Sequence, residues 1–179
     1  NDNLVGLEWL LPQLNDAPPS APKPVPQRGI EKHASSGSPS LNDAFGQALA
    51  GGLVVEGDSK YGIPPLTVSL RARLKSAASY NILVANETKA SGSHWEIFTE
   101  PGGALTVYMP GMTPDHLRSN VDIVDDRWHH VTFQLTSDSA ALFLDGIPLQ
   151  SQTITSVGKT TVPGGLAFGR LVEGGLGCD

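Results

Sequence analysis

From residue 44 onward, hydrophobic positions recur at every second residue. The clearest stretch is 66–74: Leu66, Val68, Leu70, Ala72 and Leu74 share one face, and Thr67, Ser69, Arg71 and Arg73 take the other. That alternation predicts a strand with one face buried and one in water. Related patterns predict strands at 53–55, 81–85, 95–99, 105–109, 128–135, 141–144, 148–153 and 166–169. Turn signals separate them: Gly62-Ile-Pro-Pro, Pro101-Gly-Gly, Pro110-Gly and Pro163-Gly-Gly. Asp145-Gly146, set between two apolar runs, predicts a tight hairpin of the type I′ kind. Many short strands at this spacing, with no helical pattern between them, predict an all-β, antiparallel sandwich or barrel.

The first 43 residues follow another rule. Leu4, Leu7, Leu11 and Leu14 recur at helical spacing, with Trp9 and Leu10 widening the stripe, until Pro12 interrupts it. A short helix over 4–11 is the expectation. Residues 16–26 carry alternating prolines that favour extended polyproline II and cannot form a strand ladder, and 34–40 are polar and Ser-rich. Residues 1–43 therefore read as a tether, and 44–179 as the domain. Composition agrees: 20 Gly and 14 Pro make up about a fifth of the 179 residues, too much punctuation for a helical bundle.

Charge narrows the partners. Twelve Lys and Arg against 18 Asp and Glu give a net charge of −6, so no basic stripe is available for nucleic acid. One Cys excludes a disulfide framework within the chain and a Cys-based zinc or iron–sulfur site. No apolar run approaches the roughly 18 residues of a membrane-spanning helix.

The run Asp126-Arg-Trp-His-His-Val-Thr-Phe-Gln-Leu135, followed by Ala141-Leu-Phe-Leu-Asp-Gly146, resembles the laminin-G-like, concanavalin A-like lectin/glucanase jelly rolls. Gly46-Gln-Ala-Leu49, Pro64-Pro-Leu-Thr-Val68 and Leu166-Ala-Phe-Gly-Arg170 fall in the order expected of that family. Tyr80-Asn-Ile-Leu-Val-Ala85 with Lys89-Ala-Ser-Gly-Ser-His-Trp-Glu-Ile-Phe98 looks like a bacterial envelope subgroup. The resemblance covers about residues 44–179. It implies a concanavalin A-like jelly roll placed outside the cell or in the envelope or periplasm, as part of a larger protein. Relatives commonly continue into a closing strand. Here the chain ends at Asp179, so that strand is expected to be missing, leaving the strand near 47–49 or 53–55 short of a partner.

Glu96 and Glu100 have the spacing of the glucanase signature, with Phe98 where an Asp would stand. A retaining pair needs carboxyl groups about 5 Å apart, whereas four residues of strand span about 13 Å. No Gly-x-Ser-x-Gly elbow, Gly-rich phosphate loop or metal motif is present. The expectation is a domain that is not an enzyme. Asp115, Asn120, Asp122, Asp125 and Asp126 crowd one loop, and calcium is the ion such hard oxygens would take, with Asp122 and Asp125 favoured. Ligand binding is the remaining function: Tyr80, Trp95 and Tyr108 as aromatic platforms for a sugar, with His94, Glu96, His116 and Arg118 as hydrogen-bonding groups. The alternatives are core packing for Trp95 and Tyr108, and a structural spacer without ligand for the domain. A glycan or a protein is the expected partner. Trp128 is expected in the core, His129 and His130 as hydrogen-bonded structural residues on opposite strand faces, and Cys178 as a buried thiol.

Overall fold

A computed structural model describes residues 4–7 and 52–178. The described residues form antiparallel strands with one 3-10 turn at Ser59–Gly62, in two main sheets. In chain order the strands are β1 (Leu4–Leu7), β2 (Leu53–Glu56), β3 (Leu66–Arg73), β4 (Asn81–Asn86), β5 (Trp95–Thr99), β6 (Ala104–Tyr108) and β7 (Met112–Thr113). They continue as β8 (His116–Asp122), β9 (His129–Leu135), β10 (Ser139–Leu144), β11 (Ile147–Thr153), β12 (Thr155–Ser156) and β13 (Gly165–Phe168). One sheet has the order β1-β3-β9-β10-β11, the other β2-β13-β4-β5-β6-β8, and β7 pairs with β12 apart from both. The fold is an antiparallel β-sandwich of the jelly-roll kind.

The core lies between the sheets, where the alternation puts it. β3 contributes Val68, Leu70 and Ala72, β9 contributes Val131 and Phe133, and β6 contributes Leu105 and Val107. Trp95 and Ile97 of β5, beside β6 in the six-stranded sheet, face the β3 and β9 residues. A register shift in β4 between Ile82 and Val84 turns both Leu83 and Val84 toward this core and leaves Ile82 and Ala85 on the outer side. There, Ile82, Ala85 and Phe98 form a smaller apolar cluster under Leu171. Cys178, half-buried rather than buried, donates its Sγ–H to the Ile82 carbonyl at 3.1 Å.

The N-terminal expectation is corrected. Leu4–Leu7 is a strand, not a helix, and runs antiparallel to β3 from Leu4↔Arg73 to Leu7↔Leu70. Val5 is β-branched and Gly6 is a poor helix former, so an open strand edge that satisfies the backbone outcompetes about two turns of marginal helix. The rest of the expected helix and tether, residues 8–51, lies outside the described residues, as does the expected strand at 47–49. β2 pairs with β13 and stands at the edge of its sheet.

Candidate functional site

Strand alternation assembles most of the predicted binding residues on the outer face of the six-stranded sheet. Trp95, Ile97, Leu105, Val107 and Leu117 point into the core, so Glu96, Phe98, Thr106, Tyr108, His116 and Arg118 point away from it. The register makes two rungs across this face: Ala85–Glu96–Tyr108–His116, and Ile82–Phe98–Thr106–Arg118. The Tyr108 and His116 rings sit 4.6 Å apart between centroids, both half-buried. His94 meets the same Tyr108 edge-on at 5.9 Å, and Lys89 Nζ lies 5.8 Å from its centroid. Burial pushes the Tyr108 phenol up from its ordinary range, helped by the negative charges of Asp115 and Glu96 and opposed by Lys89.

Beneath this ring lies a buried charge. Glu96 is 2 % exposed and its Oε1 stands 3.1 Å from Lys89 Nζ. His94 is equally buried, with Nδ1 3.1 Å from the Glu87 carbonyl oxygen. A carbonyl only accepts, so Nδ1 is the donor. Nε2 then faces Glu96 Oε2 at 3.5 Å, and neither atom has a hydrogen-bond partner. Toward the other end of the face, Arg118 Nε bonds Glu100 Oε1 at 2.9 Å, and Tyr80, 41 % exposed, leans on Phe98 at 5.9 Å. The structure thus brings together Tyr80, His94, Glu96, Tyr108, His116 and Arg118. It separates Trp95, which is 2 % exposed in the core with its indole N–H donated to the Tyr61 carbonyl at 2.6 Å.

Glu96 and Glu100 share this face but do not form the open pair a glycosidase needs. One is sealed under Lys89, and the other is held by Arg118. Lys89 was missed in the sequence reading. It sits in the turn joining β4 to β5, and only the fold-back of that hairpin returns it over Glu96. A nearby cleft of about 180 Å³, lined by Ser93, His94, Met109, Ser156 and Lys159 among others, opens between the loops at this end of the sandwich.

The acidic stretch expected as one loop is divided: Asn120 and Asp122 belong to strand β8, because its pairing with β6 extends to Ala104↔Asp122, and the loop proper begins after Asp122. Asp122 Oδ1 accepts the Val124 N–H at 2.7 Å and lies so close to Gly103 (φ +89°) that any Cβ there would collide with it. Asp125 Oδ1 accepts from Arg127 N at 3.0 Å and pairs with His129 Nε2 at 3.0 Å. Among the described residues no three His, Cys, Asp or Glu are grouped to hold a metal ion; Asp122 and Asp125 instead brace their own backbone. His129 Nδ1 pairs with Asp145 Oδ2 at 2.9 Å, and Asp145 Oδ1 accepts the His130 N–H at 2.8 Å. Partial burial works against the His129 cation, but the bonds to Asp145 and Asp125 outweigh it and raise its pKa. The Asp145 carboxyl is lowered, chiefly by the His130 N–H and then by His129. His130 Nε2 bonds Ser69 Oγ at 2.6 Å on the opposite strand face. Both histidines are hydrogen-bonded, as expected, and the aspartate of the Asp-Gly hairpin is what ties the Trp-His-His run to it. Trp128 departs from expectation: it is 44 % exposed. It belongs to the outward series with His130 and stands one residue before β9 begins, so its side chain faces away from the core.

Two antiparallel sheets packed face to face, with hairpin-linked strands and loops gathered at two ends, define a lectin-type jelly-roll sandwich. The sequence profile of the concanavalin A-like lectin/glucanases superfamily matches residues 55–177, and the chain belongs to that superfamily. Among solved structures it is similar to the CBM40 domain of the Ruminococcus gnavus IT-sialidase, with 12 % identity and a TM-score of 0.50 over 68 % of this chain and 78 % of that one. It is also similar to domains LG4-5 of the mouse laminin alpha1 chain, with 16 % identity and a TM-score of 0.43 over 68 % of this chain and 32 % of that one. At 12 % identity the likeness to the CBM40 domain is one of fold. No protein with a curated description matches at a significant level. No helix among the described residues is long and apolar enough to cross a membrane.

Proposed function

We propose that this domain is a non-catalytic recognition module that binds carbohydrate on the outer face of its six-stranded sheet. The observation that carries the reading is the Tyr108–His116 pair, two rings 4.6 Å apart on one cross-strand rung and half-open to solvent. A pyranose presents an apolar C–H face that suits such rings and a rim of hydroxyls that needs polar groups beside them. Arg118, Glu100 and Lys89 supply those groups, and Tyr80 extends the aromatic surface toward the other end of the sheet. Buried Glu96 acts as a positioning residue that holds Lys89 against Tyr108. The superfamily takes its name partly from lectins, and the CBM40 neighbour is by its own name a carbohydrate-binding module. The same reading places the domain outside the cell or in the envelope, as one part of a larger protein.

Binding of the domain to a glycan array, run beside a reducing-sugar assay, tests this. Tyr108→Ala should weaken retention about five- to tenfold, the effect of about 1 kcal/mol from one lost stacking face. Undiminished retention in Tyr108→Ala would overturn the site. Release of reducing ends that disappears in Glu96→Gln would overturn the non-catalytic reading.

A further inference from the structure

Trp128 is the largest side chain among the exposed hydrophobic residues, at 44 % exposure, and its indole N–H has no hydrogen-bond partner among the described residues. Everything around it in the chain is anchored. Asp126, at φ +64°, donates its N–H to the Leu74 carbonyl at 3.0 Å and takes Arg73 Nε on Oδ1 at 2.7 Å. Arg127 N is bonded to Asp125, and His129 is clamped between Asp125 and Asp145. The Arg127 side chain is 80 % exposed beside it. The result is one free aromatic ring with a spare donor, held on a loop whose flanking residues are fixed. A preordered platform avoids much of the ordering cost of binding.

We propose that residues 125–129 form a second carbohydrate contact, with Trp128 as the stacking platform and Arg127 and Asp126 as hydrogen-bonding groups at its edge. Trp128 is separate from the Tyr108–His116 pair: β8 runs from His116 away to Asp122 before this loop begins, roughly 20 Å of strand. The chemistry favours a sugar over a protein partner. A protein hot spot sits in a packed, desolvated pocket, whereas Trp128 stands 44 % exposed beside the open, charged Arg127 and Asp126. A sugar ring needs one flat apolar face with donors and acceptors at its margin.

The indole N–H signals of Trp9, Trp95 and Trp128 in a ¹⁵N-labelled chain, assigned through Trp9→Phe and Trp128→Phe, give a direct readout. The probes are cellohexaose, xylohexaose, maltohexaose and chitohexaose at millimolar concentration. The Trp128 signal should move saturably with at least one of them while buried Trp95 stays in place. Trp128→Ala should weaken binding of that probe at least fivefold, and Tyr108→Ala measured in parallel shows whether the sheet face also takes part. Binding lost in Trp128→Ala and kept in Tyr108→Ala supports the rim loop and counts against the sheet face. Failure of all four probes to move Trp128 overturns the rim proposal, as does movement with undiminished affinity in Trp128→Ala.

Discussion

Two histidine–carboxylate arrangements occupy different parts of this sandwich, and they solve the same electrostatic problem in opposite ways. At the rim, His129 has both ring nitrogens within 3.0 Å of a carboxylate, on Asp125 and Asp145, and all three groups touch solvent. On the six-stranded sheet, His94 and Glu96 are sealed at 0 % and 3 % side-chain exposure, 3.5 Å apart and without a hydrogen bond between them. The first costs little, because water shares the charge. The second is costly, because buried polar groups normally find partners. A fold that needed only stability would place apolar side chains at these two positions. The contrast separates a brace from a candidate site. The rim trio ties loop, strand and hairpin together, while the buried pair underlies the only aromatic rung on the sheet face to carry two half-exposed rings among the described residues.

The largest effect should come from breaking the buried side. Lys89→Met leaves the Glu96 carboxylate buried with its ion pair removed and should cost about 3 kcal/mol in denaturant unfolding. Glu96→Gln should stay within about 1 kcal/mol of the parent. Its amide can donate to His94 Nε2, supplying the hydrogen the pair lacks, and Lys89, 39 % exposed, can turn to water. Equal losses in the two variants would show that Glu96 is not held by Lys89, and the contrast between the two regions would collapse.

At the rim the effects should be smaller and graded. Asp145→Ala removes the acceptor for both His130 N–H and His129 and places Ala at φ +51°, for an expected loss of about 1–2 kcal/mol. Asp145→Asn tolerates that backbone conformation and retains an acceptor, so it should lose less than the alanine variant. A smaller effect is expected with pH. The His129 pKa is raised in the folded state, so its contribution is fully present below the ordinary histidine pKa of about 6.5 and is lost as pH rises through the raised value. Asp125 and Asp145 are lowered, so their contribution is present above about 3.8 and is lost as pH falls through the lowered values. Thermal melts should therefore fall by about 1–2 °C between pH 6 and 8, the size expected of a solvent-screened pair. His129→Gln should flatten that slope, and an unchanged slope would assign it to another group.

The local part of this structure was open to reading from the chain. Period-two alternation assigned the core-facing residues of β3 and β9, and Asp145-Gly146 located the hairpin of β10 and β11. These are near-neighbour properties: a strand turns each side chain by half a revolution, and a two-residue turn demands particular backbone angles. The same alternation within the predicted strands 95–99 and 105–109 sets Glu96 apart from Trp95 and Ile97 and Tyr108 apart from Leu105 and Val107, whereas His116 and Arg118 fall in a stretch that reads as loop, and only the structure makes them outward positions of β8. By residue type Trp95 suits a platform or the core, and its parity with Ile97 decides for the core.

What lay outside the reach of the chain is everything that depends on which distant segment covers a face. Glu96 is outward by parity yet buried, because Lys89 and Tyr108 close over it. The whole of β4 and β5 is buried on both sides, with Leu171 lying against Ile82, Ala85 and Phe98 on the outer face. Trp128 is aromatic and precedes a core strand, yet it is exposed, because it shares the outward parity of His130 and no remote segment among the described residues covers it. Leu4–Leu7 reads as helix in isolation and becomes a strand because β3 offers it an unpaired edge. Sequence alone determined the strands and their faces, since backbone geometry is local; the tertiary structure decided burial, pairing and exposure, since those belong to whichever remote residues the fold brings alongside.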